Sequence, residues 1–337
     1  MSLSRPPDGG AVERCRRLLE PALREAIAGL HPWNARMAGF ALGWSDADGR
    51  PRAGDGGKGV RPALALLAAE AVGADAGAAV PGAVAVELVH AFSLAHDDII
   101  DHDERRRHRE TLWKAYGVGP ALLTGDALLA LAVAQLAATP TAMPLLSAAL
   151  TDLVHGQSAD MAFENRPWHG PHAVTIGEYT EMAAGKTGSL LGAAAALGVT
   201  LGGAPPELGE SMRRMGRDLG VAFQIADDVL GIWGDPAVTG KPVHNDLRRE
   251  KKTLPVLCAL AGDGAAGREL SAVLSAGLAD EETVRTAARL VEEAGGRAAA
   301  HALAERHLSA ALHTLDTHLP GATELRTLCK SLTHRTH

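Results

Sequence analysis

Apolar positions recur with a helical period along most of the chain. From Val12 to Leu30 they are spaced by three and four residues, which predicts an amphipathic helix. The first ten residues, rich in Pro and Gly, are predicted to be disordered, and residues 43–57, rich in Gly and Asp, to form a loop. A helix is expected to follow Arg61-Pro62, since proline is tolerated in a first helical turn.

Helical segments also dominate the rest of the chain. The predicted helices are residues 81–104, 120–138, 143–164, 174–202, 206–233, 250–261, 266–277, 281–295, 297–318 and 321–333. Breaks fall where Pro and Gly cluster, and no strand-like alternation, internal repeat or interdomain linker is visible. We therefore predict an all-α protein in which residues 11–337 form one domain.

Composition agrees with packed helices and narrows the function. Hydrophobic residues make up 46% of the chain but aromatic residues only 3%, so its apolar content is mostly Ala, Leu and Val. A net charge of -7 argues against nucleic acid as a partner. Three distant cysteines and the lack of a secretory signal favour the cytoplasm. The longest uncharged run, residues 189–206, is only weakly hydrophobic, so we expect a buried helix and no integral membrane segment.

An acidic cluster ends the predicted helix 81–104. Asp97 and Asp101 are four residues apart and share one helix face, with Asp98 beside them. Like charges at that spacing repel each other, and the helix dipole disfavours anions at this end. Mg²⁺ would relieve both costs, because it takes a few carboxylates and keeps other positions for water and phosphate. The alternative is a solvated patch paired with nearby arginines, but apolar residues directly upstream make the acids the end of a buried helix.

A second acidic pair, Asp227 and Asp228, also follows an apolar run. Our hypothesis is that the two pairs face each other across a cleft and hold several Mg²⁺ ions around one diphosphate. Two unrelated surface patches are the alternative.

Basic residues with the character of phosphate ligands accompany the acids. In GGKGVRP (residues 56–62), glycines let backbone N–H groups approach an anion, while Lys58 and Arg61 add charge. Lys186 stands alone in an uncharged segment and needs a partner, because burying an unpaired charge is costly. Three lysines follow the second acidic pair: Lys241, Lys251 and Lys252. We interpret the last of these as surface charge. Phosphoryl-transfer enzymes use similar parts, but neither a Walker loop nor a kinase signature is present.

Together these segments resemble the trans-isoprenyl diphosphate synthase family. The matching motifs, in family order and spacing, are GGKGVRP (56–62), HDDIIDHDERRRHRET (96–111), GDALLA (125–130), GQSAD (156–160), GKTGSL (185–190), FQIADD (223–228) and GKPVHNDLRREKKTLP (240–255). The resemblance implies an isoprenoid synthase fold, a single large helical bundle around a central apolar cavity, and a homodimer. It also implies Mg²⁺-dependent head-to-tail condensation of isopentenyl diphosphate with an allylic diphosphate, with three metal ions per active site.

The resemblance further assigns roles to individual residues. The implied metal ligands are Asp97, Asp98, Asp101, Asp227 and Asp228. The implied ligands of the allylic diphosphate are Arg106, Lys186 and Lys241, and Lys251 is a further substrate-binding residue. The implied ligands of isopentenyl diphosphate are Lys58, Arg61, His90 and Arg107. Thr187 and Gln224 match catalytic residues that stabilise the allylic cation, although both are equally typical of ordinary interhelix hydrogen bonds.

Two departures from the family pattern stand out. The second acidic motif usually ends in Asp, but Gly231 occupies that position, and Asp235 is our candidate to replace the missing acid through water. After the first motif, the usual RRGRP reads RRHRE. Gly231 also supports the main alternative from another class, a non-catalytic partner subunit, whereas a terpene cyclase would need a different second motif.

Residues just before the first acidic motif predict the product. Phe92 lies five residues before Asp97, with the small Ser93 next to it. This arrangement resembles synthases of twenty-carbon geranylgeranyl diphosphate, in which such an aromatic closes the product pocket. Fifteen-carbon farnesyl diphosphate is the close alternative product. Phe92 could also be an ordinary core aromatic with no role in product length.

Overall fold

A computed structural model describes residues 9–52, 59–106, 109–236 and 242–333. Its helices are α1 (Gly9–Ala28), α2 (Pro32–Ala41), α3 (Val60–Ala71), α4 (Val80–Ile100), α5 (Leu112–Tyr116), α6 (Val118–Leu136), α7 (Met143–Glu164), α8 (Ile176–Ala183), α9 (Ser189–Leu201), α10 (Pro206–Trp233), α11 (Asn245–Arg248), α12 (Leu254–Leu260), α13 (Ala265–Ala276), α14 (Glu281–Glu293), α15 (Gly296–His318) and α16 (Thr323–Thr333). A short 3₁₀ helix (Ala76–Ala79) precedes α4, and a π-helical turn (Ala184–Gly188) joins α8 to α9. The prediction of an all-α protein is confirmed.

Local differences from the predicted elements have physical causes. The predicted helix 81–104 ends at Ile100, because His102 takes a left-handed φ of 55° and the chain turns there. Beyond it, β1 (Arg105–Arg106) and β2 (Arg109–Glu110) form a two-residue antiparallel hairpin. Of the residues predicted to be disordered, 1–8 lie outside the described part of the chain, whereas Gly9 and Gly10 begin α1.

The chain divides into two compact units, each built from separate stretches. The first comprises the described residues of Met1–Ala148, Leu190–Arg213 and Leu315–Leu328, and the second those of Ala149–Ser189, Arg214–Thr314 and Cys329–His337. The prediction that residues 11–337 form one domain stays a prediction.

Small apolar side chains pack the core of the first unit. Helix α9 is buried from Ser189 to Val199, and this confirms the predicted burial for that part of the uncharged run. A Cβ on Gly198 would overlap the carbonyl oxygen of Ala65, so α9 lies directly against α3. By length and composition alone, residues 76–100 and α6 are apolar enough to cross a membrane. The buried share of the most apolar 18-residue window is 50% in residues 76–100 and 28% in α6.

Glycines set the close packing of the second unit around the π-helical turn. A Cβ on Gly156 of α7 would overlap the backbone of Lys186, and a Cβ on Gly220 of α10 would lie 2.6 Å from the backbone nitrogen of Gly188. The turn is therefore held between α7 and α10 by direct backbone contact, which excludes any larger residue. A π turn redirects the side chains that it carries, and here those are Lys186 and Thr187.

Candidate active site

In the first unit, the three acids of the first motif separate by burial. Asp97 and Asp101 are partly exposed at the end of α4, whereas Asp98 is only 5% exposed. The Nε and Nη2 groups of Arg106 both donate to Oδ1 of Asp98, at 2.8 Å. Burial raises the pKa of the Asp98 carboxyl, against the lowering effect of the Arg106 guanidinium. Asp98, predicted as a metal ligand, thus already binds Arg106 and fixes its position in β1.

Two of the predicted ligands of isopentenyl diphosphate lie together in the same unit. Nη1 of Arg61 is 3.2 Å from Nε2 of His90. Arginine can only donate, so His90 accepts at Nε2 and carries its proton on Nδ1. The other two predicted ligands, Lys58 and Arg107, lie outside the described residues.

Arg109 anchors the hairpin that carries Arg106. Its Nη2 donates to the carbonyl oxygen of Phe40 at 2.8 Å, and its guanidinium lies 4.9 Å from the centre of the Phe40 ring. The RRHRE departure therefore retains an arginine with a defined structural contact. Nothing in the structure explains Glu110.

The predicted chain-length residue Phe92 has a fixed neighbour. Its ring meets that of His96 edge-on, with 4.8 Å between the centroids and 69° between the planes. His96 in turn donates from Nε2 to the carbonyl oxygen of Leu122 in α6, at 3.2 Å. A Cβ on Gly125 would lie 2.5 Å from Cδ2 of His96, so glycine at that position makes room for the imidazole. The hydroxyl of Ser93 donates back to the carbonyl oxygen of His90, at 3.0 Å.

In the second unit, the π-helical turn presents Lys186 and Thr187. Nζ of Lys186 donates to Oδ2 of Asp160, at 2.5 Å. This ion pair supplies the partner that the lone lysine was predicted to need. The hydroxyl of Thr187 donates to Oε1 of Gln224 at 2.7 Å, so the structure brings these two predicted catalytic residues together.

The two acids of the second pair differ in solvent exposure, as the acids of the first motif do. Asp227 is exposed, whereas Asp228 is 5% exposed and accepts three hydrogen bonds. The donors are the hydroxyl of Tyr179 (2.5 Å), the backbone N–H of Leu254 (2.9 Å) and Nε2 of Gln224 (3.0 Å). Burial raises the pKa of Asp228 to about 7 and that of Tyr179 well above its ordinary value. Asp228, also predicted as a metal ligand, thus ties α8, α10 and α12 together.

The lysines after the second motif differ in their surroundings. Lys241 lies outside the described residues, and Lys251 is partly exposed. The interpretation of Lys252 as surface charge is wrong: it is 9% exposed, and its Nζ lies 3.3 Å from the centre of the Trp168 ring. The sequence offered no signal for this pairing, because Trp168 belongs to the distant RPWHGP segment.

A carboxylate that the sequence reading missed lies beside Gly231. Oδ2 of Asp246, in α11, occupies the position that a Cβ on Gly231 would take. Asp235, the predicted replacement for the missing acid, lies beyond the end of α10 at Trp233, so helical spacing does not carry it to the same face.

The donor chemistry of the remaining acids fits Mg²⁺. Asp97, Asp101 and Asp227 offer carboxylate oxygens, the ligand type that Mg²⁺ prefers, and all three are at least partly accessible. Within the described ranges, no three His, Cys, Asp or Glu side chains lie together as a complete ligand set. Mg²⁺ bound together with a phosphorylated substrate usually takes only one or two carboxylates, and water and phosphate oxygens fill its other positions.

Comparison with known proteins agrees with this chemistry. Residues 52–291 match the polyprenyl synthetase family model. A (2E,6E)-farnesyl diphosphate synthase of Mycobacterium tuberculosis is 46% identical over 301 residues, which cover 87% of this chain and 82% of the relative. A geranylgeranyl diphosphate synthase of the same organism is 44% identical over 311 residues, or 90% and 87% of the two chains. The crystal structure of a polyprenyl synthetase from Streptomyces coelicolor A3(2) matches with a TM-score of 0.88 and 43% identity, over 96% of this chain and 98% of the other. The chain therefore belongs to the polyprenyl synthetase family, and it is a prenyltransferase of the trans-prenyl diphosphate synthase type.

Proposed function

We propose that the enzyme condenses isopentenyl diphosphate with allylic diphosphates and stops at twenty-carbon geranylgeranyl diphosphate. The observation that carries this proposal is the fixed ring of Phe92. At about 1.5 Å per residue, it lies about 7.5 Å along α4 from Asp97, toward the helix N-terminus. Its contact with His96 keeps the ring from turning aside as a product grows. Fifteen-carbon farnesyl diphosphate is the alternative, favoured by the relative of 46% identity that carries that name.

We assign the Mg²⁺ ligands to Asp97, Asp101 and Asp227, with three ions per active site. When bound, Mg²⁺ supplies stabilisation of the charge that develops on the departing diphosphate. Asp98 and Asp228 take no metal in this proposal, because each already accepts hydrogen bonds in a buried position. Their role is to orient the residues around them.

The basic and polar residues divide the remaining tasks. Arg106 and Lys186 bind the allylic diphosphate, and Arg61 with His90 binds the diphosphate of isopentenyl diphosphate. The allylic C–O bond breaks, the isopentenyl double bond attacks the allylic carbon, and the proton lost from the adduct leaves with the released diphosphate. The hydroxyl of Thr187, held by Gln224, stabilises the cation through its oxygen lone pairs.

A product assay tests the proposal directly. The protein is incubated with isopentenyl diphosphate and a five-, ten- or fifteen-carbon allylic primer, with and without Mg²⁺, and the dephosphorylated products are sized by chromatography. We expect twenty-carbon alcohol from every primer, in the presence of Mg²⁺ only. A fifteen-carbon end product would move the pocket floor closer to Asp97 and leave the chemistry intact. Folded protein that forms no product from any primer would refute the proposal.

Two substitutions test the part played by Phe92. Phe92→Ala removes the ring and should lengthen the main product by at least one five-carbon unit. His96→Ala keeps the ring but removes its support, so we expect a broader product distribution. Phe40→Leu, at an aromatic elsewhere in the first unit, serves as the control and should leave product length unchanged. Equal product lengths in all three variants would contradict the assignment.

We also propose that the enzyme is a cytoplasmic homodimer, and that a second copy covers α6. This helix exposes Val118, Leu122 and Leu123 by 40–57%, which is unusual for large apolar side chains. Leu123→Glu should convert the dimer into a monomer in light scattering. A wild-type protein that is monomeric and pellets with lipid vesicles would instead favour a membrane surface as the partner of this face.

A further inference from the structure

Gly231 and Asp227 occupy the same face of α10. They are four residues apart, so an acid at position 231 would stand one helical turn beyond Asp227. Glycine provides no carboxylate there. The question is whether another part of the chain supplies one.

The carboxylate of Asp246 fills that place. A Cβ built on Gly231 would overlap Oδ2 of Asp246 and lie 2.5 Å from its Cγ. The two positions therefore compete for the same volume, and an ordinary side chain at 231 would displace Asp246. With glycine at 231, the Asp246 carboxylate reaches the face of α10 that carries Asp227.

The backbone around Asp246 holds it in this position. The N–H of His244 donates to the carbonyl oxygen of Ile232 at 3.0 Å, directly after Gly231 in the chain. Leu247, on the other side of Asp246, is 1% exposed and belongs to the same buried cluster as Ile232. The carbonyl oxygen of Asp246 accepts from the N–H of Lys251, at 3.0 Å. Three contacts therefore fix the backbone on both sides of Asp246, whose side chain is partly exposed.

We propose that Asp246 supplies the carboxylate that position 231 lacks, so that Asp227 and Asp246 together form the second Mg²⁺-binding acid pair. The inference rests on the proposed function and deepens its metal site. It replaces Asp235, which lies outside α10. The proposal also makes Gly231 compatible with an active enzyme, because a different segment of the chain supplies the missing carboxylate.

Substitution and exchange of the two positions test this proposal. Asp246→Asn keeps the shape of the side chain and removes its charge. Asp246→Ala removes the carboxylate, and Gly231→Asp with Asp246→Ala moves the acid onto α10. Asp263→Asn, at an exposed acid between α12 and α13, is the matched control. Mn²⁺ binding in the presence of inorganic diphosphate is followed by electron paramagnetic resonance, and the Mg²⁺ concentration for half-maximal activity is measured in parallel.

We expect Asp246→Asn and Asp246→Ala to weaken Mn²⁺ binding about tenfold, as is common when a metal site loses a supporting carboxylate. The exchanged double variant should recover to within about threefold of the wild type. The proposal would be overturned if Asp246→Asn bound Mn²⁺ within twofold of the wild type. It would also be overturned if the double variant bound Mn²⁺ no better than Asp246→Ala, or if Asp235→Asn weakened Mn²⁺ binding more than Asp246→Asn does. Melting curves identify any variant that fails to fold. Wild-type protein that binds Mn²⁺ with diphosphate but makes no prenyl product would refute the proposed function alone.

Discussion

The hydrogen bond between Tyr179 and Asp228 gives the most quantitative prediction. Tyr179→Phe keeps a ring that is 1% exposed and removes only the hydroxyl, which donates to Oδ2 of Asp228 at 2.5 Å. The acceptor is a buried carboxyl whose pKa is raised by burial to about 7 and lowered in part by this hydroxyl. The substitution should therefore destabilise the protein by an amount that depends on pH.

The sign follows from proton linkage. The folded-state pKa of Asp228 lies above the unfolded value of about 3.9, so its contribution to stability falls as the pH rises from about 4 to about 7. Loss of the Tyr179 hydroxyl raises the folded-state pKa further and extends this fall to higher pH. At pH 5 the lost bond is to a neutral carboxyl and is worth about 1 kcal/mol, whereas at pH 8.5 it is to a carboxylate and is worth about 1.5–3 kcal/mol.

Denaturant unfolding at both pH values measures the difference. Tyr116→Phe is the matched control, because the only other tyrosine of the chain donates to the carbonyl oxygen of Ala47 at 2.8 Å. That acceptor does not titrate, so the control should lose about 1 kcal/mol at either pH. If Tyr179→Phe lost the same free energy of unfolding at pH 5 and at pH 8.5, the ionisation assigned to Asp228 would be refuted.

Three further substitutions test the packing and the anchors of the site. Gly220→Ala should cost about 1–3 kcal/mol and lower the melting temperature, because its methyl group meets the backbone of the π-helical turn. Asp98→Asn should raise KM for the allylic diphosphate, because it frees Arg106 from its hydrogen bonds. The Mg²⁺ concentration for half-maximal activity should stay within twofold of the wild type, and a tenfold shift of it would instead make Asp98 a metal ligand. Arg109→Lys keeps the charge but loses the planar stack on Phe40, so unfolding should become about 1 kcal/mol easier, and an unchanged melting curve would contradict that contact.

Helices with strong local signals were predictable from the sequence. The predicted bounds 143–164 and 206–233 coincide with α7 and α10, because long periodic segments there begin and end at Pro- and Gly-rich breaks. The ten-residue α2 was missed, since its weakly periodic sequence PWNARMAGFA depends on Pro32 and on a cap from the side chain of His31. The π-helical turn was missed because such turns are rare and occur mostly as single turns within an otherwise α-helical segment.

The acidic motifs show what a linear pattern cannot resolve. In both DD pairs the two acids look equivalent along the sequence, yet the second member, Asp98 or Asp228, is buried in each case. Which acid is buried depends on donors from other segments, such as Arg106 and Tyr179. The place of Asp246 depends on tertiary packing in the same way, because fifteen residues separate it from Gly231 in the chain.

These contacts share one physical device, a glycine that gives space to a functional group on another segment. Gly125 admits the imidazole of His96, Gly231 admits the carboxylate of Asp246, and Gly156 lets α7 reach the backbone of Lys186. None of the three glycines has a positive φ, so each is required for the missing side chain and not for an unusual backbone conformation. A glycine within a motif of this enzyme is thus best interpreted through its spatial neighbour. On that basis, the Asp246 carboxylate can take its position only because residue 231 has no side chain. A variant that places an acid at position 231 should therefore also remove the carboxylate at position 246.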